Sequence, residues 1–467
     1  MAAQAAQLLA HGWQIHQRKQ FTQAEKIYRD VLTKEPQNAN AWCYLGMTLH
    51  DQKRFAEAVQ AYRSALTLHA DFPIALNNLG NSLRYVNEYE EADTCFQKAI
   101  DLKPDYVNAF KNRGTLHVWT GNLERGLKCY EQALEINPQE AELHRNLGVI
   151  YLLQGRFQEG WREYRWRWKV GDLHRPNVGL PVWDGKEIAG KRLLLTAEQG
   201  LGDTINFVRF AKALRERGAR TLVYCQPQLL ALLQQNRESV GQVYPNNLGL
   251  PSQLDAQASL LDVADYLSIS LETIPSEPSY LSSPQHLRDF WRQRLNQIVP
   301  GAPDQTSTDK KLRIGISWQG NPDHQADMFR SIPLQQFECL AQVEGVTLVS
   351  LQQGFGSEQL KTWTSSPIIT LGDQVDKSSG AFVDTAAIMQ ELDLVITSDT
   401  AIAHVAGAVG VPTWVALNSM PDWRWLLDRE DTPWYPSVRL FRQKKIADWS
   451  TVFAEMAQEL KTLVATH

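Results

Sequence analysis

The stretch LVITSDTAIAHVAGAVGVPTWVAL, Leu394 to Leu417, decides how the chain is read. An apolar run bounded by Asp393 and Ser398 has the length of one fully buried strand. Ser398, Asp399 and Thr400 are helix-capping residue types. They predict a helix of small residues from Thr400 to Val409, ended by Gly410 with Pro412 just beyond. Thr413 to Leu417 resumes as strand. Strand, tight turn, helix and strand form a βαβ unit whose helix N-terminus offers backbone N–H groups to an anion. The same stretch is equally a packed βαβ unit without a ligand, so the surrounding chain has to decide.

Around this stretch the alternation continues. Arg313 to Trp318 reads as a strand, Gln319 to Arg330 (QGNPDHQADMFR) as a polar loop, Val346 to Leu351 and Ile368 to Leu371 as strands, and Asp384 to Leu392 as a helix. Arg330 is a cation in the loop after the first strand, suited to a diphosphate or simply solvated. Downstream, Asp422-Trp423-Arg424-Trp425 and Pro433-Trp434-Tyr435-Pro436 are dense aromatic loops that either pack against a terminal helix, Ala447 to Val464, or border a cleft.

An earlier α/β series precedes it. Arg192 to Ala197 is a strand that runs into Glu198-Gln199-Gly200-Leu201-Gly202-Asp203-Thr204, followed by a helix to about Arg217 and a strand at Thr221 to Tyr224. Gly200 and Gly202 let the backbone come close to a ligand. Asp203 stands where a helix begins and is either a capping carboxylate or a general base facing a cleft. The two roles conflict, because capping bonds and the helix dipole lower a carboxylate's pKa. Two such series in tandem predict a cleft lined by the carboxyl ends of strands.

The first third has a different logic. Glycines recur every 34 residues at Gly12, Gly46, Gly80, Gly114 and Gly148, and aromatics at Tyr28, Tyr62, Phe96, Tyr130 and Tyr164. Small residues follow the same step at Ala24, Ala58, Ala92, Gly126 and Gly160, while Pro36, Pro104 and Pro138 close three units. This is the period of the tetratricopeptide repeat, a helix–turn–helix unit that buries its apolar face only by stacking. Asn77, Asn78, Asn112 and Asn146 fall where such units line their inner face, and amides there can bond the backbone of an extended peptide. Within WREYRWRWKV, Arg167 replaces the expected alanine, and Trp161, Trp166 and Trp168 read as a junction onto the next domain.

Composition is that of a globular protein: 467 residues, 43% hydrophobic and 21% charged, with a net charge of -5 that gives no reason to expect nucleic acid. Five dispersed cysteines without a CxxC pair indicate neither zinc nor a disulfide framework and fit a cytoplasmic protein. The N-terminus lacks the features of a signal peptide, and no apolar run has membrane-spanning length. The expected organisation is a repeat array of about five units over 1–170 and a linker over 171–190. Two α/β domains over 191–309 and 310–445 and a terminal helix over 446–467 follow.

Together, GLGDT, SWQGNP, SDTAIAHVAGAVGVPTWVAL, PDWRW and DTPWYPSVRLFRQ resemble bacterial tetratricopeptide-repeat glycosyltransferases. The catalytic half is similar to the heptosyltransferase family and, more distantly, to protein O-linked N-acetylglucosamine transferases. The resemblance implies an α + α/β fold: a repeat superhelix followed by two Rossmann-like domains in the GT-B arrangement. It also implies metal-independent, inverting transfer of a sugar from a GDP-, UDP- or ADP-sugar to a hydroxyl on a protein or peptide held by the array. By the same resemblance Asp203 is the base beside Gly202, and His404 faces the sugar or diphosphate unless it is a core histidine. Thr400, Ala401 and Arg330 take the diphosphate; Trp318, Gln319 and Asn321 line the donor; Leu351 and Gln352 sit by the base or sugar; Asp384 and Thr385 form a second ligand-side turn. Asp399 shares the nucleotide-binding turn, but a carboxylate repels phosphate, so it caps or braces it. Heptosyltransferases lack the repeats, often have glycine where Ala401 stands and have lysine in place of Arg330. A sugar-nucleotide hydrolase and a non-catalytic scaffold with a nucleotide-sensing domain are the alternatives.

Overall fold

A computed structural model describes residues 2–299, 311–324 and 326–466. The chain divides into two compact units, Met1–Leu147 and Gly148–His467. The division precedes the expected end of the array at residue 170, because from Gly148 onward the last repeat packs with the α/β part. The expected boundary at 309–310 lies outside the described residues, as does the final residue of the terminal helix.

The first unit is a series of antiparallel helix pairs: Ala2–Gln17 with Phe21–Lys34, Ala39–Asp51 with Phe55–Leu68, Pro73–Tyr85 with Tyr89–Leu102, and Val107–Trp119 with Leu123–Ile136. The 34-residue step has a steric cause. A Cβ on Gly12, Gly46, Gly80 or Gly114 would lie 2.6–2.8 Å from the ring of Tyr28, Tyr62, Phe96 or Tyr130, inside van der Waals contact. Each ring therefore fills the space that its glycine leaves. Ala24, Ala58 and Ala92 are fully buried in the same seam, and Pro36, Pro104 and Pro138 stand two residues beyond helix ends.

The second unit contains two parallel sheets. In the first, β1 (Arg192–Thr196), β2 (Arg220–Cys225), β3 (Gln242–Pro245) and β4 (Ala256–Ser259) take the order β3-β2-β1-β4. In the second, β5 (Leu312–Ser317), β6 (Val346–Ser350), β7 (Ile368–Thr370), β8 (Leu394–Ser398), β9 (Thr413–Leu417) and β10 (Val438–Arg442) take the order β10-β9-β8-β5-β6-β7. Every pairing within these sheets is parallel, and β5, β8 and β9, in the middle of the second sheet, are wholly buried. Strand order reverses between β1 and β4 and between β5 and β8, and such reversal points leave a crevice beyond the carboxyl ends of the strands. The turns after β1 and β8 are the GLGD and SDT turns that the sequence singles out.

Candidate functional site

Two helices leave those turns. Leu201–Phe207 follows β1 and Ala401–Ala408 follows β8, and they pack directly on one another. A Cβ on Gly202 would lie 2.7 Å from His404 Cδ2 and 3.5 Å from Ala401 Cα, so only glycine allows this approach.

Asp203 occupies the third position of its helix. Its Oδ2 accepts the Gly200 N–H at 2.8 Å, the bond expected of a capping carboxylate. Its Oδ1 accepts from Arg424 Nη2. The expectation that capping depresses this carboxyl is reversed. Burial raises it above the ordinary carboxylate value, against the pull of Arg424 and the Gly200 amide.

Arg424 joins the constellation from the loop after β9. It is buried, with its guanidinium 4.4 Å from the Trp423 ring centroid, and Nη1 donates to Asp422 Oδ1 at 2.7 Å. Neither Arg424 nor Asp422 has a sequence-based assignment; the only signal is the DWRW loop itself. Asp399 belongs to the same group of charges. Burial and the neighbouring Asp422 carboxylate push it up to about 6, opposed by Trp425, Arg330 and Arg424.

His404 is a buried, neutral side chain. Burial, reinforced by Arg424, brings its imidazole down to about 3, so it is no proton donor near neutrality. Nδ1 lies 2.9 Å from the Tyr435 hydroxyl, and the ring stacks on Trp425 at 5.3 Å. It therefore matches the core-histidine reading more closely than the ligand-facing one.

Thr400, Arg330 and Gly320 meet at the mouth of the helix Ala401–Ala408. Thr400 Cγ2 and Arg330 Nη2 lie 3.2 and 3.0 Å from where a Gly320 Cβ would stand. Thr400 occupies the N-cap position without a side-chain capping bond, and its buried Oγ1 finds no hydrogen-bond partner among the described residues. Arg330 Nε lies 3.5 Å from Asp327 Oδ1 and likewise makes no hydrogen bond among them. Leaving a buried polar group without a hydrogen bond costs about 1–3 kcal/mol. Ala401 is half-buried and begins the helix whose first N–H groups lack intrahelical acceptors.

Other expected contacts lie elsewhere. Trp318 is fully buried beside Phe337 and donates Nε1 to Gly356 O, so it is core rather than donor lining. Leu351 is buried against Gly315. Gln352 is a clamp: Oε1 accepts from Ser317 Oγ, Trp318 N and Gln319 N, and Nε2 donates to Gln319 O and Phe355 O. Gln319 accepts from Gln359, and exposed Asn321 accepts the Asp323 N–H in a local turn. Asp384 accepts from Trp291 Nε1 and Asp376 N, and Thr385 donates its N–H to Asp376, a buried box that orders the chain before its helix. These bonds engage the side chains of Gln352 and Asp384 and the backbone N–H of Thr385 within the protein.

Beneath the GLGD turn lies a second unforeseen network. Buried Arg167 makes a bidentate pair with Glu198 at 2.9 and 3.0 Å and reaches Asp262 at 2.6 Å. Gln199, in the left-handed region at φ 58°, donates to the Tyr164 hydroxyl, and Trp161 packs edge-on against Trp423 at 5.3 Å. WREYRWRWKV thus packs onto the α/β part. In the first unit, Asn77 donates to Asn78 and accepts from Asn112, so part of the asparagine series is engaged internally.

The two units define a repeat protein joined to a parallel α/β body. Tetratricopeptide-repeat models match residues 17–72 and 73–106, and a TPR-repeat model matches 118–155. The chain is 24% identical over 330 residues to Protein FlbA of Caulobacter vibrioides, an alignment covering 66% of this chain and 52% of that protein. It thus spans about half the length of this curated relative. Among solved structures, the pilF protein of Pseudomonas aeruginosa is 19% identical, with a TM-score of 0.36, covering 46% of this chain and 85% of that one. A thermophilic TPR protein of Thermus thermophilus is 17% identical, with a TM-score of 0.33, covering 36% and 91%. No helix among the described residues is long and apolar enough to cross a membrane.

Proposed function

We propose that the second unit is a glycosyltransferase of GT-B type. It moves a sugar from a nucleoside diphosphate sugar to a hydroxyl, on a protein or peptide held by the repeats. The observation that supports this most is the juxtaposition of Thr400 Oγ1, which has no hydrogen-bond partner among the described residues, and Arg330, whose Nε is ion-paired to Asp327 but makes no hydrogen bond among them, at a helix N-terminus beside a strand-order reversal. A diphosphate is the anion that such a set of groups suits: N–H groups and the helix dipole favour negative charge, and a guanidinium fork matches two phosphate oxygens.

In the proposed reaction the acceptor oxygen attacks the anomeric carbon while the bond from that carbon to the diphosphate oxygen breaks. Asp203 takes the acceptor proton, helped by the burial that raises its pKa. The nucleoside diphosphate leaves with its charge held by Arg330 and the amides at Thr400 and Ala401. Removing one such preorganised donor costs about 3 kcal/mol in the transition state. The test is release of nucleoside diphosphate from a panel of nucleotide sugars, with Asp203→Ala abolishing release and retaining nucleotide binding. Full release by that variant overturns the assignment of the base.

One observation favours a second reading, a repeat scaffold with a nucleotide-sensing body. Asp203 is held in an ion pair with Arg424, and His404 is neutral and packed, so both candidate catalytic groups are already engaged. Nucleotide binding without turnover of any donor, in the presence of cell lysate as acceptor source, would decide for it.

A further inference from the structure

His16, His50 and Arg84 hold one place in the first helices of successive repeats, spaced by the same 34 residues as the repeat glycines. His16 Nδ1 lies 2.9 Å from Thr48 Oγ1, and His50 Nδ1 lies 2.8 Å from Ser82 Oγ. Each imidazole thus meets a hydroxyl 32 residues further along the chain. The corresponding residue for Arg84 is Leu116, which is buried and has nothing to accept a hydrogen bond.

The Arg84 guanidinium is left short of acceptors. The residue is 7% exposed, and its Nε and Nη1 have no hydrogen-bond partner among the described residues. Burial pulls it below the ordinary arginine value, opposed by Tyr85 and Tyr130 and by no carboxylate among those residues. Its Cζ lies 4.0 Å from the Trp119 ring centroid and 5.4 Å from that of Tyr85. Aromatic faces attract the cation but give the N–H groups in its plane no oxygen to bond. A cation buried without counter-charge destabilises a fold, and a buried Met or Leu would fill the same place without that cost.

The surroundings are those of an open polar face. Asn78, Asn81, Tyr85, Asn112 and Trp119 are half-buried. Asn112 Nδ2 donates to Asn77 Oδ1 at 2.9 Å, tying the helix Val107–Trp119 to the helix Pro73–Tyr85. Three residues before Arg84, on the same helix face, Asn81 Oδ1 is a second buried polar atom without a partner among the described residues. An unmet cation and an unmet acceptor on one face are what an acidic group and an adjoining peptide N–H complete. Lys111 and Arg113, on the next repeat's first helix, are already paired with Glu142 and Asp93. The single charge of a carboxylate therefore matches the one uncompensated guanidinium better than the double charge of a phosphate.

We propose that Arg84 anchors a carboxylate of a peptide lying along the first helices of the array, while Asn81 Oδ1 accepts a neighbouring peptide N–H. The inference rests on the reading of the array as the part that holds a protein or peptide, and not on sugar transfer by the second unit. The carboxylate comes from an acidic side chain or from a chain end, and the test separates the two.

The test is fluorescence polarisation of the full chain with four fluorescein-labelled peptides, each of eight glycine and serine residues but for one central position. That position is glutamate or glutamine, and the peptide ends in a free carboxylate or an amide. A carboxylate-bearing peptide should bind about 10- to 100-fold more tightly than the glutamine amide, the range of a hydrogen bond to a charged group. Preference for glutamate marks a side chain as the source, and preference for the free end marks a terminus. Arg84→Met should abolish the preference and leave the urea midpoint of the first unit unchanged or raised, and Arg84→Lys should keep part of the preference. Equal binding of all four peptides, or a preference retained by Arg84→Met, overturns the anchor while the array still holds peptides. A lowered midpoint in Arg84→Met shows that the guanidinium is already compensated within the fold and overturns the anchor too. Failure of the unaltered protein to bind any of the four overturns the peptide-holding array, and the anchor with it.

Discussion

Arg424 and Asp203, 221 residues apart in the chain, form a largely buried ion pair that joins the loop after β9 to the first turn of the helix after β1. Asp422 shares the same guanidinium. Removing one partner of such a pair leaves an uncompensated charge, which costs about 3–5 kcal/mol. Arg424→Ala should therefore lower the urea midpoint of the second unit, followed by tryptophan fluorescence, far more than Asp422→Ala, whose side chain is partly exposed. Equal effects of the two substitutions would contradict the central position of Arg424.

Arg167 gives a parallel prediction. Its loss strands Glu198, whose side chain is 5% exposed, and leaves Asp262, 2% exposed, with Arg175 as its remaining cationic partner. Arg167→Met should destabilise the second unit by about 3 kcal/mol or more, measured by the same unfolding experiment. Arg167→Met with Glu198→Gln should recover part of that loss; no recovery would mean that Arg167 acts through packing alone.

Gly202 tests the contact between the two helices. Gly202→Ala places a methyl 2.7 Å from His404 Cδ2, and such overpacking costs about 1–3 kcal/mol. Combining it with His404→Ala should be less harmful than the sum of the two single changes. Strict additivity in the double-mutant cycle would show that the two residues do not touch in solution.

The pH dependence of stability follows from His404 and Asp399. The folded-state pKa of His404 is depressed from 6.5 to about 3, so its contribution is complete above pH 6.5 and is lost as pH falls from there towards 3. Asp399 is raised from 3.8 to about 6, so its contribution is complete below pH 3.8 and is lost as pH rises through 6. Each slope is at most about 1.4 kcal/mol per pH unit. His404→Gln should reduce the loss of stability between pH 7.5 and 4.5, and Asp399→Asn should increase it; unfolding midpoints at the two pH values measure both. An unchanged difference in His404→Gln would mean that this imidazole is not the buried neutral group described.

What the sequence made legible follows the range of the interaction involved. The repeat glycines and their rings are local and recur at one step, and the first four pairs meet as their spacing predicts, while Gly148 packs on the Tyr164 backbone. The GLGD and SDT turns are also local, since strand, turn and helix signals lie within a few residues, and the sheets place both at strand-order reversals. The hydrogen bonds of Gln352, Asp384 and Thr385 are not legible in the sequence, because a polar residue near a strand end can turn towards a ligand or back onto its own loop. Only the loop conformation decides which. Arg424 had no assigned role because an ion pair between distant segments leaves no periodicity or spacing. The direction of the Asp203 shift is hidden for a related reason: its capping bond is visible in the sequence and its burial is not.

The most direct test of the central claim is nucleoside diphosphate release by the full chain from UDP-, GDP- and ADP-sugars, with chelator present and with cell lysate as acceptor source. The Thr400–Arg330 pocket and Asp203 predict release from at least one donor. They also predict loss of release in Asp203→Ala with binding intact, and loss of both release and binding in Arg330→Ala. Release at wild-type rate by Asp203→Ala, or undiminished nucleotide binding by Arg330→Ala, would contradict the account.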